Sequence, residues 1–227
     1  SRDSFVNPSG QMALERSGPA PYFGGRMDPM HPYQHLPLFT TGLLLGIWLI
    51  ASHALLLAKP AALQAFLKKF PRNDQLGQII LGIGLFWFWL LIAPTGYGKL
   101  SALTMELGEF NSAKGLLQIL VPITLVLVCR SVRDFLAVRA LGLLGLMIAA
   151  PLLGSAFLKD PESRLLVPIF AYGLLTASMF CVGMPYLFRD AVTWVTTNQK
   201  RWTLCAIGGL GYGVATVICA FAFWRGY

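Results

Sequence analysis

An uncharged stretch from Leu36 to Ala58, LPLFTTGLLLGIWLIASHALLLA, constrains the fold of this chain more than any other feature. As an α-helix it would be about 34 Å long, at about 1.5 Å per residue, which is enough to cross a hydrocarbon core of about 30 Å. Its leucine, isoleucine and phenylalanine residues each favour insertion by about 0.3–0.6 kcal/mol near the bilayer centre, and together they outweigh the single histidine, His53. The stretch therefore predicts a transmembrane helix.

Five further apolar runs follow, and together the six predict an all-α integral membrane protein with six transmembrane helices. The sequence of 227 residues is 56% hydrophobic and only 12% charged, which leaves too little polar surface to cover a soluble globule. Several of the runs contain proline, which a transmembrane helix tolerates because neighbouring helices can satisfy the carbonyl that it leaves free. We predict spans at about residues 36–58, 76–93, 114–129, 140–158, 165–188 and 202–224.

The remaining residues form an amino-terminal tail and short segments between the spans. Residues 1–35 are rich in proline and glycine, so we expect an irregular extramembrane tail, with residues 36–227 forming the transmembrane domain. Residues 59–72 and 99–113 each place apolar side chains on one helical face. They predict two short amphipathic helices that lie at the membrane interface.

The basic residues predict which side of the membrane each loop occupies. Most lysines and arginines near the spans lie in the loops after the first, third and fifth spans, and cytoplasmic loops are the ones enriched in such residues. We therefore expect both termini outside, in a bacterial cytoplasmic (inner) membrane. Because the formal net charge of +8 arises largely at the ends of apolar runs, we expect the lipid bilayer as the partner of these residues and no nucleic acid.

The densest cluster of potential metal ligands lies in the tail. The segment GGRMDPMHPYQH contains Met27, Asp28, Met30, His31 and His35. Thioether and imidazole groups bind copper, and a carboxylate suits other divalent ions. Two prolines interrupt the segment and no cysteine accompanies it, so the alternative is that its histidines and Tyr33 form hydrogen bonds at the outer interface.

His53 is the histidine inside a predicted span. An imidazole in the membrane can ligate a haem iron or a chlorophyll magnesium. No second histidine lies within a span, so a haem would be held by this one residue. The alternative is a hydrogen bond from His53 to a neighbouring helix near the inner membrane face.

No aspartate or glutamate lies well inside any predicted span. Proton-coupled and sodium-coupled carriers ordinarily place such groups near the bilayer centre, so an ion-coupled transporter is disfavoured. The histidines outside the spans are confined to the tail, and this leaves no Ser-His-acid or paired-carboxylate arrangement on one side of the membrane. We therefore do not expect an enzyme.

Three functional hypotheses remain. The shortage of catalytic groups and the glycines suited to close helix packing, such as Gly209 and Gly213, favour a non-catalytic structural or accessory subunit of a larger membrane complex, with other membrane subunits as partners. The alternative is an uncoupled carrier or channel for a small neutral or lipophilic solute. A third hypothesis is a membrane subunit that binds haem or chlorophyll at His53, or copper in the tail.

Overall fold

The computed structural model describes residues 32–94, 103–105, 107–131 and 135–226, and within these ranges it contains helices and turns but no β-strand. Six of the helices are long and apolar enough to cross a membrane, which confirms the predicted fold class of an all-α integral membrane protein. The helices are α1 (Leu38–Ala58), α2 (Pro60–Lys69), α3 (Asp74–Leu91), α4 (Lys114–Ser131), α5 (Leu136–Ala156), α6 (Leu166–Gly183), α7 (Pro185–Thr197) and α8 (Gln199–Phe223).

The two short helices, α2 and α7, pack against each other at one end of the bundle. Both begin with proline, whose missing N–H costs nothing in the first turn of a helix, and both are amphipathic. Beside them, the side-chain nitrogen of Gln64 donates a hydrogen bond of 3.2 Å to the side-chain oxygen of Gln199. We call this the basic end because it carries exposed Lys59, Lys68, Lys69, Arg72, Arg189 and Lys200.

The residues of the predicted fifth span, 165–188, are divided between two helices. α6 ends at Gly183 and α7 begins at Pro185. A proline pushes the residue before it out of the α-helical region, and Met184 accordingly has φ −131° and ψ 67°. The amphipathic segment through Thr197 is therefore a separate helix, which the apolar run alone did not indicate.

Of the two predicted amphipathic helices, the structure contains the first, and it describes only part of the second segment. Residues 59–72 form α2 and the 3-10 turn that follows it, Phe70–Arg72. Of the second segment, residues 99–102 and Glu106 lie outside the described ranges. Its last part, Gly108–Ala113, is a 3-10 helix leading into α4, and it begins at a glycine with a φ of +55°, a left-handed conformation that interrupts a regular α-helix.

α5 lies between α3 and α6 and packs against both. A Cβ atom on Gly77 of α3 would lie 2.7 Å from the backbone nitrogen of Ala137 in α5. On the other side of α5, a Cβ atom on Gly142 would lie 2.7 Å from the carbonyl oxygen of Ser178 in α6. Any side chain at these two positions would push the helices apart, so the glycines set the close spacing on both sides of α5.

α1 and α8 form a second closely packed pair. Gly46 and Gly213 face each other, and a Cβ atom on Gly213 would lie 3.1 Å from the carbonyl oxygen of Gly46. Toward the basic end, the indole nitrogen of Trp202 donates a hydrogen bond of 3.0 Å to the carbonyl of Leu56. That carbonyl is one of the last four of α1, which have no partner within the helix, so Trp202 both satisfies it and fixes the pair.

Tyr33 attaches the segment before α1 to the bundle. It lies in the 3-10 helix Pro32–His35, its side chain is 8% exposed, and it contacts Gly154 of α5. Its oxygen accepts a hydrogen bond of 2.9 Å from the indole nitrogen of Trp87 in α3. Burial raises the pKa of the Tyr33 hydroxyl, and the Trp87 hydrogen bond opposes that change, so the hydroxyl is neutral at physiological pH. The last residues of the predicted tail thus pack with the transmembrane domain.

Candidate functional site

An apolar cleft of about 790 Å³ lies between α1, α5 and α6. Its rim includes Leu44 and Trp48 of α1, which are 65% and 59% exposed, so the cleft opens sideways toward the surrounding lipid. We call it the lateral cleft. Its lining includes Thr40, Thr41, Leu44 and Trp48 of α1, Leu141, Gly145, Ile148 and Pro151 of α5, and Phe170, Leu174, Ala177, Ser178 and Cys181 of α6.

The lateral cleft follows from the uneven spacing of the helices. Glycine contacts bring α5 close to α6 at Gly142, and α1 close to α8 at Gly46 and Gly213. Between these two pairs, α1 meets α6 through large rings, with the centroids of Trp48 and Phe170 6.5 Å apart in an edge-on arrangement. These large side chains hold α1 away from α6, and the space between α1 and the α5–α6 pair remains as the cleft.

The polar groups of the lateral cleft are few, and none of the described side chains that line it is charged. Thr40 and Thr41 lie in the first turn of α1, and Ser178 and Cys181 lie in the second half of α6. Ser178 is only 4% exposed, and its hydroxyl has no hydrogen-bond partner within the part of the chain that the structure describes. The cleft therefore combines an apolar wall with a hydroxyl whose oxygen is not fully enclosed and is free to bind.

His53 lies outside the lateral cleft, between α1 and α8. Its Nδ1 lies 2.8 Å from the carbonyl oxygen of Leu49 and 3.2 Å from the hydroxyl of Ser52. Because a carbonyl can only accept, Nδ1 carries the proton in the bond to Leu49, and this leaves Nε2 as the nitrogen that could bind a metal. Nε2 lies against Gly209 of α8, so closely that a Cβ atom there would overlap it.

This geometry shows where the hydrogen bond of His53 goes. It is made to the carbonyl one turn earlier in α1 rather than to a neighbouring helix, and the neighbouring helix contributes a packing surface at Gly209. An iron or magnesium ion on Nε2 would have to displace that contact. Ligation of haem or chlorophyll by His53 stays a prediction.

The potential metal ligands of the tail fall almost entirely outside the described residues. Met27, Asp28, Met30 and His31 are among those not described, and His35 is the exposed last residue of the 3-10 helix Pro32–His35. Among the described residues, no group of three or more histidine, cysteine, aspartate or glutamate side chains is placed to hold a metal ion. Copper binding by the tail also stays a prediction.

The residues of the lateral cleft are suited to binding a ligand. Among the described residues that line the cleft there is no carboxylate, imidazole or amine. Within the described ranges the one ion pair joins Arg189 to Asp190 at 3.0 Å, and both side chains are more than half exposed at the basic end. A neutral, lipophilic molecule is the class of ligand that such a surface accommodates.

The lateral cleft was not predicted from the sequence. Two local signals were present: Gly42 and Gly46 repeat at four-residue spacing in α1, and Ser178 interrupts the apolar run of α6. Both were compatible with plain helix packing, because the sequence does not say which helices pack against each other.

No protein-family model, curated protein or solved structure matches this chain.

Proposed function

We propose that this protein holds a neutral lipophilic molecule in the lateral cleft and acts as a carrier without ion coupling. The observation that carries the proposal is the cleft itself, an apolar space of about 790 Å³ bounded by three membrane-spanning helices. Its volume lies within the range of about 300–1,000 Å³ that is usual for small-molecule sites. The sequence supports the same class of function, because the predicted spans lack the acidic residues of ion-coupled carriers.

Access from the bilayer follows from the position of the rim. Leu44, Trp48 and Ile148 are exposed at the membrane-facing surface of the bundle, so a lipophilic molecule can enter without crossing a polar layer. An ionic molecule would lose its hydration there and find no opposite charge in the lining, which costs several kcal/mol or more. The proposed ligand is therefore uncharged.

A change that fills the lateral cleft tests this function. Ala177 lines the cleft, so Ala177→Phe should occupy part of the space and reduce the amount of lipophilic molecule that co-purifies with the protein by more than half. Ala150→Phe is the matched control, because Ala150 is an exposed alanine of α5 that does not line the cleft. The measurement is mass spectrometry of organic extracts, per mole of protein purified from native membranes. Equal extracts from both variants and the parent would count against the proposal.

A second candidate function is that of a subunit of a larger membrane complex. Gly208, Gly211 and Ala215 are exposed on one face of α8, and no other part of the described chain lies within 4 Å of a Cβ atom built on either glycine. A glycine within a helix costs about 1 kcal/mol relative to alanine, and neither glycine offsets that cost by packing against the described part of the chain. Small residues on a lipid-facing helix provide a surface on which a further transmembrane helix can pack.

Gly211→Leu tests the second function. The leucine would cover the small-residue face of α8, where no other described part of the chain is in contact, so the protein should fold normally and lose the chains that co-purify with the parent. Native gel electrophoresis and mass spectrometry of gently solubilised membranes measure this. An unchanged set of co-purifying chains, or none in the parent, would argue against the role as a subunit.

The proposal includes an orientation with the basic end in the cytoplasm of a bacterial cell and both termini outside. It is supported by the exposed basic residues that α2 and α7 bring together, since cytoplasmic loops are enriched in lysine and arginine. The same residues suit the anionic headgroups of the inner leaflet.

A further inference from the structure

We propose that the lateral cleft recognises its ligand through one hydrogen bond, donated by the hydroxyl of Ser178 to a carbonyl oxygen of a neutral lipophile. This inference rests on the proposed function and names the chemistry of the ligand. The class it identifies is a long apolar molecule with a ketone, quinone or ester carbonyl near one end.

The hydroxyl of Ser178 lies against a glycine of the neighbouring helix. The residue lies in α6 at its contact with α5, and its side-chain oxygen lies so close to Gly145 that a Cβ atom on that glycine would overlap it. Both residues line the lateral cleft. The hydroxyl is therefore held at the back wall of the cleft, where α5 and α6 meet.

The hydroxyl of Ser178 has no hydrogen-bond partner among the residues that the structure describes. Several hydroxyls in the interior of these helices donate to a carbonyl of their own helix, such as Ser155 to Leu152 at 2.9 Å and Thr176 to Tyr172 at 2.9 Å. Ser178, although 4% exposed, makes no such bond to any residue that the structure describes. The oxygen of Ser178 is not among the fully buried polar atoms that lack a partner, so it keeps some accessible surface, and Ser178 lines the cleft. A hydroxyl that faces an apolar space without a partner is unfavourable, so a partner supplied by the ligand would remove that cost.

Packing alone does not explain a serine here. Close approach of α5 and α6 requires only a small side chain opposite Gly142 and Gly145, and alanine would meet that requirement without leaving an unpaired hydroxyl at the cleft. The hydroxyl is the part of Ser178 that packing leaves unexplained.

The depth and surroundings of Ser178 define the ligand. Ser178 lies five residues before the end of α6 at Gly183, which places it about 7–8 Å inside the helix at about 1.5 Å per residue. The wall between it and Thr40 and Thr41, at the far end of the cleft, is apolar. A molecule with a single carbonyl near Ser178 and a long apolar chain extending toward α1 matches this distribution.

Cys181 provides a reporter for the test because it also lines the lateral cleft, three residues after Ser178. In a protein that carries Cys129→Ala, Cys205→Ala and Cys219→Ala, Cys181 is the remaining thiol. Its rate of alkylation by N-phenylmaleimide in detergent is measured with two probes, methyl tridecyl ketone and pentadecane. The probes have chains of similar length, and only the first has a carbonyl.

We expect both probes to slow alkylation, the ketone at lower concentration. Adding Ser178→Ala should raise the ketone concentration needed for half-maximal protection about fivefold, the factor that corresponds to about 1 kcal/mol for one hydrogen bond. The same change should leave protection by pentadecane unaltered. The unfolding temperature without probe should stay unchanged or rise, because an unpaired hydroxyl is removed; a lower value would mean that Ser178 has a structural partner and would overturn the inference.

Different results of this experiment would overturn the hydrogen bond from Ser178 and the proposed function of the cleft. If both probes protect Cys181 and Ser178→Ala changes neither, the lateral cleft binds lipophiles without a hydrogen bond from Ser178, and only the inference is overturned. If neither probe protects Cys181 in the parent protein, the proposed function falls together with the inference.

Discussion

Trp224→Ala is expected to lower the free energy of unfolding by about 3–5 kcal/mol, the cost usual for removing a large aromatic side chain from a packed interior. Trp224 is fully buried at the end of α8, where its ring covers Gly42 of α1. Its indole nitrogen donates a hydrogen bond of 2.8 Å to the hydroxyl of Ser163, which lies just before α6. One side chain thus joins three membrane-spanning helices at the end of the bundle opposite α2 and α7.

Two further variants separate the contributions to this effect. Trp224→Phe keeps most of the ring contact and loses the hydrogen bond, so we expect a loss of only about 1–2 kcal/mol. Trp194→Ala is the matched control, because Trp194 of α7 is 56% exposed and its removal should change stability little. Reversible unfolding in mixed micelles measures all three. A loss for Trp224→Ala no larger than that for Trp194→Ala would show that the ring does not hold the helices together.

The membrane-spanning helices could be predicted because each corresponds to a long apolar run in the sequence. A run such as Leu36–Ala58 is free of charge over the thickness of a bilayer, and the helix found there, Leu38–Ala58, begins only two residues later. This signal is local and depends on transfer from water to lipid rather than on neighbouring helices. It does not mark where one apolar helix ends and another begins, so α7 was joined in part to the fifth predicted span.

The lateral cleft could not be predicted from the same signals. It depends on α1 packing mainly against α8, which follows it by more than a hundred residues, and only slightly against α5. A glycine such as Gly46 predicts close packing but does not show which helix packs against it. A serine such as Ser178 is also compatible with close helix packing, because its side chain is small. The histidines predicted as candidate ligands, His53 and His35, lie outside the lining of the cleft.

The contact between α1 and α8 gives the second large expected effect, because here two backbones touch. Gly213→Leu should lower the free energy of unfolding by about 2–3 kcal/mol through overpacking. A Cβ atom at this position would lie 2.9 Å from the Cβ atom of Leu49 and 3.0 Å from the backbone nitrogen of Ile50. Backbone atoms cannot turn aside as a side chain can, so the two helices must separate along part of their length.

Gly211→Leu is the matched control for this effect. Gly211 lies two residues earlier on the same helix, and no other part of the described chain lies within 4 Å of a Cβ atom built there. The two variants make the same change in composition, hydrophobicity and helix propensity, so the difference between their unfolding free energies isolates the contact between α1 and α8. Because α1 also forms one wall of the lateral cleft, Gly213→Leu should in addition change the alkylation rate of Cys181, and Gly211→Leu should not. Equal stabilities for the two variants would show that α1 and α8 do not depend on close approach at Gly213.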